Sequence, residues 1–361
     1  MENTKPIFDA YIISAISDFD VLEKNIPYIK KNIPAQHIFI VAKEKPSEAV
    51  LSGCEFLDEN SIIDGMTYKA VSNKILSLGA DKKHTGWYFQ QFIKLALSKI
   101  CENQYYLVWD CDTIPLHQIN FFDDKNRPYF NLKREYKARY FKTLNNLIGL
   151  KKSINESFIS EHMMFDANLT NEMLQKIEGE KLEGSNFWEK ILSASFRVDE
   201  GSERNFSEFE TYGTFIENFY KNRYTKRKLN TLRYGAEFFG DEPTDSILSW
   251  CSKSLDTISF EKYDYERKPI ENKFNFEDME KTSAILFLKN SQIRDKKDMR
   301  KALISFKKEK INLLRRKNII YEMDFIFSTK SKYNSLTPFV DFLCKKISLL
   351  QKIRVLFNIL R

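Results

Sequence analysis

The chain has 361 residues, with 57 Lys and Arg against 50 Asp and Glu for a net charge of +7, and 42% of it is hydrophobic and 14% aromatic. With 30 Phe and 17 Tyr, it is not a disordered chain, which would bury too little apolar surface to offset the entropy of ordering. Five scattered cysteines, Cys54, Cys101, Cys111, Cys251 and Cys344, disfavour a disulfide framework or a CxxC zinc site and fit a reducing compartment. The opening MENTKPIFDAY has no basic stretch leading into an apolar one, and no apolar run reaches ~18 residues. The expectation is a cytoplasmic protein that meets a membrane only at its surface.

In chain order, residues 7–15 predict a buried strand, 20–32 a helix and 37–42 a second strand, an apolar run bounded by polar residues. Residues 51–57 predict a weaker strand. The helix expected over 86–102 carries Phe89, Phe92, Ile93, Ala96 and Leu97 on one side, and 105–109 is a short apolar strand. This alternation predicts an α/β fold, an open sheet covered by helices. Its ligands should gather beyond the carboxyl ends of the strands. The opening has neither the G-x-G-x-x-G fingerprint nor a G-x-x-x-x-G-K-[ST] loop, which disfavours a classical dinucleotide fold and a P-loop fold.

The most informative segment is Tyr105-Tyr106-Leu107-Val108-Trp109-Asp110-Cys111-Asp112-Thr113-Ile114-Pro115, an apolar strand ending in two carboxylates one residue apart. Side chains at i and i+2 can converge as a strand ends. Two hard anionic oxygens are what Mg²⁺ or Mn²⁺ takes while a substrate diphosphate supplies further ligands. By itself Asp-x-Asp is a common pattern, and a solvated turn after a strand is the alternative.

With these residues, the chain resembles a GT-A nucleotide-sugar glycosyltransferase. Within that class GWYFQQFIKL (86–95), VWDCDTIPL (108–116), SEHMMFDANL (160–169) and FSEFETYG (206–213) are similar to a group of bacterial polysaccharide-biosynthesis transferases. The resemblance spans residues 7 to 260. It implies a GT-A-like (Rossmann-like) sheet, a nucleoside-diphosphate sugar donor, Mn²⁺ or Mg²⁺ at Asp110 and Asp112, and the hydroxyl of a surface-glycan or lipid-linked acceptor as nucleophile.

Gln90, Gln91 and Lys94 lie within little more than one helical turn, with Gln90 and Lys94 at i,i+4 on one face. They are candidates for donor binding, Lys for phosphate and Gln for ribose or sugar hydroxyls; an ordinary polar helix face is the alternative, and Trp87 is read as core. Ser160-Glu161-His162-Met163-Met164-Phe165 reads as a strand. By analogy with the placement of such segments in GT-A proteins, Glu161 and His162 become site candidates, His162 as a hydrogen-bond partner or metal ligand.

Ser207-Glu208-Phe209-Glu210 opens a helix continuing through Phe215, Ile216, Phe219 and Tyr220. Ser207 with Glu210 is a capping box, which gives Glu210 a structural task. Glu208 has none, and a carboxylate at a helix N-terminus beside a cleft can act as the base an inverting transferase needs. The catalytic candidates are therefore Glu208, then Glu210 and Glu161. A retaining reaction needs no such base.

Two other classes compete. Asp110-x-Asp112 with Gly240-Asp241-Glu242-Pro243-Thr244-Asp245 is similar to haloacid-dehalogenase-type, Mg-dependent phosphatases, although Ile114 stands where that family wants Thr or Val. A turn entering a helix with Ile247, Leu248 and Trp250 is the preferred reading of residues 240–245. The other alternative is a non-catalytic basic protein binding nucleic acid or membrane: residues 291–361 hold 18 Lys and Arg against 6 Asp and Glu. No nucleic-acid module accompanies them. Residues 345–361 place Leu349, Leu350, Ile353, Leu356, Phe357 and Leu360 at amphipathic spacing among Lys345, Lys346, Lys352, Arg354 and Arg361, which suits an anionic membrane surface better than nucleic acid. A helix packed on its own domain is the alternative. The expected organisation is a catalytic domain over 1–265 and a basic, mainly helical extension over 266–361.

Overall fold

A computed structural model describes residues 5–197, 204–233, 235–240 and 243–261. The expected helix at 345–361, Cys344, and the acidic pair Asp241 and Glu242 lie outside the described residues. Two compact units divide the chain, Met1–Thr113 with Gln118–Arg227, and Ile114–His117 with Lys228–Arg361.

The first unit is built on strands β1 (Phe8–Ile13), β2 (Ile38–Ala42), β3 (Glu55–Asp58), β4 (Tyr105–Asp110) and β7 (His162–Asp166). Their spatial order is β3-β2-β1-β4-β7. β3, β2, β1 and β4 run parallel, and β7 joins the edge of β4 antiparallel. Every residue of β1 is buried, as a parallel strand covered on both faces must be. The helices are α1 (Phe19–Asn32), α2 (Glu48–Leu51), α3 (Tyr68–Ser77), α4 (Thr85–Ala96), α5 (Ala138–Ile148), α6 (Ala167–Gly179), α7 (Phe187–Ser195) and α8 (Glu208–Phe219). The strand β5 (Thr113–Pro115) follows β4, and the short strands β6 (Tyr129–Asn131) and β8 (Thr225–Arg227) pair in parallel.

Chain order reverses between β1 and β4, whose registers place Ile13 beside Asp110. A sheet of this kind opens a crevice at such a switch point, on the carboxyl side of the strands. Asp110 is therefore the last residue of β4 at the place where the topology presents a ligand.

Alternation along the strands sorts the side chains into two layers. Tyr11, Val108, Tyr106, Met163 and Phe165 share one core with Phe89, Phe92 and Ile93 of α4 and Phe209, Tyr212 and Phe215 of α8. Trp109 and His162, opposite each other in register, face the other side, where Phe121 meets both rings.

The α/β fold expected from the alternation is present, with differences at element ends. In place of one weak strand over 51–57, residues Glu48–Leu51 form a helical turn and Glu55–Asp58 the strand. Ser47 caps that turn by accepting from the Val50 N–H, and Gly53 takes φ +70° to leave it. The helix expected over 86–102 is regular to Ala96 and tightens into a 3₁₀ turn over Leu97–Lys99.

The second unit holds β9 (Thr231–Leu232), α9 (Gly235–Phe239), α10 (Asp245–Ser252) and β10 (Thr257–Ser259), with sheet order β5-β10-β9. Thr244 caps α10 by accepting from the Ile247 N–H at 3.3 Å, so the expected helix carrying Ile247, Leu248 and Trp250 is present. Cys54, Cys101, Cys111 and Cys251 are free thiols, and among the described residues no helix is long and apolar enough to cross a membrane.

One packing contact is unusually close. A Cβ on Gly213 of α8 would lie 2.2 Å from the Phe158 ring, whereas one on Gly86 of α4 would meet nothing within 4 Å. Gly213→Ala should therefore destabilise the protein by about 1–3 kcal/mol through overpacking, and Gly86→Ala should be neutral or stabilising by up to about 1 kcal/mol. Urea unfolding of the two variants measures the contrast.

Candidate active site

The Asp-x-Asp turn is pinned from two sides. The Trp109 indole N–H donates to the Thr113 carbonyl at 2.8 Å, closing the turn over Asp110, Cys111 and Asp112. Asn25 of α1 donates its amide to the Cys111 carbonyl at 2.9 Å. The Asp110 N–H donates to the Glu161 carbonyl at 2.9 Å, which continues the β4–β7 ladder past its last paired residues.

Lys94 of α4 reaches this turn through the interior. Its Nζ lies 3.3 Å from Asp110 Oδ1 and 2.9 Å from Glu208 Oε1 of α8. The ammonium also sits over the Phe209 ring, 4.6 Å from its centroid. Burial pulls its pKa down, but Asp110 and Glu208 outweigh that and hold it above the ordinary lysine range. The two carboxylates are thus within about 6 Å of each other, through one shared cation. Gln91, three residues before Lys94, accepts the Glu208 N–H on its side-chain oxygen at 3.2 Å. That satisfies one of the N–H groups a helix start leaves without an intrahelical partner.

Of the nine residues singled out in the sequence, the structure joins Gln91, Lys94, Asp110 and Glu208 in one cluster, in which Gln91, Lys94 and Glu208 are buried and Asp110 is half-buried. Asp112 follows on the same turn and accepts from the Thr113 hydroxyl at 3.1 Å. The i,i+4 spacing pairs Gln90 with Lys94; in the fold Gln91 and Lys94 meet the same partner instead, and Gln90 is half-buried.

Glu161 and His162 part company. Glu161 pairs with Lys133 at 3.4 Å, both buried, and it precedes β7 on the side that Asp110 faces. His162 points the other way: its ring stacks on Trp109 with centroids 4.8 Å apart, and neither ring nitrogen has a hydrogen-bond partner. Burial, with Arg227 and Lys133 nearby, holds its pKa well below the usual histidine range, so it sits as a neutral ring in an aromatic layer.

Half of the expected capping box forms at α8. Ser207 accepts the Glu210 N–H at 3.3 Å, but the Glu210 carboxylate turns to the Ser157 hydroxyl, 2.5 Å away. Burial pushes the Glu210 carboxyl up to about 7, against the lowering effect of Ser157 and Lys152, and its second oxygen has no partner.

Lys133, Ser157 and Asn25 carry no signal in the sequence. Each touches its partner across 28 residues or more, and only the folded chain brings them there.

The donor set suits a divalent cation of the Mg²⁺ type. Among the described residues no group of three or more His, Cys, Asp or Glu could hold a metal ion. Asp110 and Asp112 supply two carboxylates, and such ions commonly take one or two of these with substrate phosphates and water completing the shell.

A family of unknown function (DUF6492) matches residues 9–250. A comparison with curated proteins finds no match. Several solved glycosyltransferases are similar in structure. Mouse xyloside xylosyltransferase 1 in its apo form is 10% identical with a TM-score of 0.40, covering 71% of this chain and 98% of that one. Galactosyltransferase LgtC in complex with donor and acceptor sugar analogues is 8% identical with a TM-score of 0.36, covering 77% and 96%. The glycosyltransferase GlyE of Streptococcus pneumoniae is 10% identical with a TM-score of 0.34, covering 78% and 61%.

Two buried groups give stability an opposed pH dependence. His162, with its folded pKa depressed, stabilises fully above the unfolded value of about 6.5 and loses that stability as pH falls. Glu210 has its folded pKa raised to about 7 from 4.5, so its contribution is full below the unfolded value and is lost as pH rises through 7, by up to about 3 kcal/mol. His162→Phe should flatten the acid limb of stability against pH, and Glu210→Gln the neutral one, both read by urea unfolding from pH 4 to 8.

Proposed function

For this chain, which belongs to the family of unknown function DUF6492, we propose that the first unit transfers a sugar from a nucleoside-diphosphate donor to the hydroxyl of a bacterial surface glycan or its lipid-linked precursor. The observation that carries the reading is the position of Asp110. It ends β4 beside Ile13 at the sheet's switch point, and Asp112 follows in a turn held by Trp109 and Asn25.

Asp110 and Asp112 would hold Mn²⁺ or Mg²⁺. When bound, such an ion neutralises charge on the donor diphosphate as the glycosidic bond to the leaving phosphate breaks. Glu208 is assigned as the base that takes the acceptor proton. Glu210, at i+2 on the same helix, is turned toward Ser157, whereas Glu208 is tied to the Asp110 side through Lys94. Reach decides before basicity for a general base, so Glu208 takes precedence although burial raises the Glu210 carboxyl. Glu161, paired with Lys133, comes third.

The phosphatase alternative would make Asp110 a nucleophile. Its Oδ1 already engages a buried ammonium, which favours a fixed ligand over an attacking group.

A panel of nucleotide sugars with the purified protein tests the reading, watching for Mn²⁺-dependent donor hydrolysis or a thermal shift. Asp110→Ala and Asp112→Ala should each abolish transfer, and an active double variant would remove the proposal. Glu208→Gln should cut turnover by about 10²–10⁴-fold with donor affinity little changed; a product with retained anomeric configuration, read by NMR, would remove the base assignment.

We place the protein at the inner face of the cytoplasmic membrane, on the basic amphipathic pattern of residues 345–361. Removing those residues should lower sedimentation with anionic liposomes at low salt and leave transfer to a soluble acceptor unchanged. Equal binding to neutral liposomes would count against it.

A further inference from the structure

The lysine before an Asp-x-Asp strand invites assignment to the donor phosphates. We infer that Lys94 is instead a positioning residue, whose ammonium fixes Asp110 and Glu208 relative to each other and makes no contact with the donor. This rests on the transfer reading above.

Three features of its surroundings lead there. The side chain is buried, its Nζ lies over Phe209, and it is within ion-pair distance of both carboxylates. Its backbone is held as well: the buried Tyr106 hydroxyl of β4 donates to the Lys94 carbonyl at 3.0 Å. One turn of α4 thus delivers Gln91 to the Glu208 N–H and Lys94 to the Glu208 carboxylate, so the start of α8 is docked through main chain and side chain together. A donor phosphate engaging this buried nitrogen would compete with two carboxylates already at ion-pair distance, Glu208 buried and Asp110 half-buried, which costs more than engaging an exposed cation.

The arrangement has an electrostatic consequence. Lys94 takes up part of the negative charge of Asp110, so it works against an incoming divalent cation while stopping Asp110 and Glu208 from repelling one another apart. Metal affinity is given up for a fixed geometry, and turnover depends on that geometry.

Two variants separate this from a phosphate contact. Lys94→Met leaves the buried Glu208 carboxylate uncompensated beside Asp110 and can fail to fold, so it is paired with the double substitution Lys94→Met/Glu208→Gln, which removes one charge of each sign and keeps the net charge of the cluster. Binding of Mn²⁺ alone is followed by electron paramagnetic resonance, and binding of UDP and GDP in saturating Mn²⁺ by calorimetry. The positioning role predicts that the double variant binds the preferred nucleoside diphosphate within about threefold of the unsubstituted protein, and that Lys94→Met binds Mn²⁺ about tenfold more tightly, as loss of a nearby positive charge requires. Lys94→Arg, which keeps the charge in a larger fork, should lower kcat with the donor KM little changed.

A tenfold or greater loss of nucleoside-diphosphate affinity in the double variant would overturn the inference and return Lys94 to the donor. A Lys94→Arg variant with raised donor KM and unchanged kcat would do the same. If the unsubstituted protein binds no Mn²⁺, the metal part of the transfer reading fails, and the double variant's nucleotide affinity still decides for or against Lys94.

Discussion

A single buried ammonium holds the candidate site together. Lys94 on α4 meets Asp110 at the end of the next strand, β4, and Glu208 at the start of α8, a helix that chain order places far from both. Burying the charges of Lys94 and Glu208 has a large desolvation cost, which is offset only when the partners are close and their remaining capacity is used. That condition limits each element: α4 must present Lys94 and Gln91 inward, β4 must end at Asp110, and α8 must begin at Glu208. A shift of one residue in any of them would leave a charge buried without a partner.

The second constraint is the pleat. Consecutive strand residues face opposite layers, so the strand β4 can place Asp110 beside Lys94 only by placing Trp109 in the other layer. β7 repeats the choice, with Glu161 toward the Asp110 side and His162 against Trp109. The aromatic layer then contributes to the site indirectly, because the same Trp109 that packs on His162 and Phe121 closes the Asp-x-Asp turn through its indole N–H. Core packing and site geometry share one side chain.

The acidic residues around the turn differ in surroundings more than in composition. Among the described residues Glu208 is paired with Lys94, Glu161 with Lys133, and Glu210 with no cation at contact distance but with the Ser157 hydroxyl, while Glu161 and Glu210 each leave one oxygen without a partner. Asp110, Asp112 and Glu208 against Lys94 leave two formal negative charges at the end of β4, which one divalent cation would balance. Environment, more than residue type, thus separates a candidate metal ligand, a base candidate and a carboxyl whose ionisation is costly.

The sequence by itself determined the α/β class, the strand over 105–109 running into Asp110, and α8 with Ser207 as its cap, because hydrophobic period and end signals are local properties that survive without tertiary context. It also named Gln91, Lys94, Asp110 and Glu208, though not that they meet. The period of two along a strand is enough to separate Glu161 from His162, since adjacent strand residues cannot share a face. What only the tertiary structure decided was partnership. Gln91 rather than Gln90 joins the cluster because the rotation of α4 is set by its apolar contacts with the sheet, and the Glu210 carboxylate leaves its capping box for Ser157, 53 residues away in sequence, whose hydroxyl it meets inside the core. Lys94 binds carboxylates of its own chain because α8 packs against α4 and supplies Glu208, an approach between segments more than 100 residues apart that no local pattern encodes.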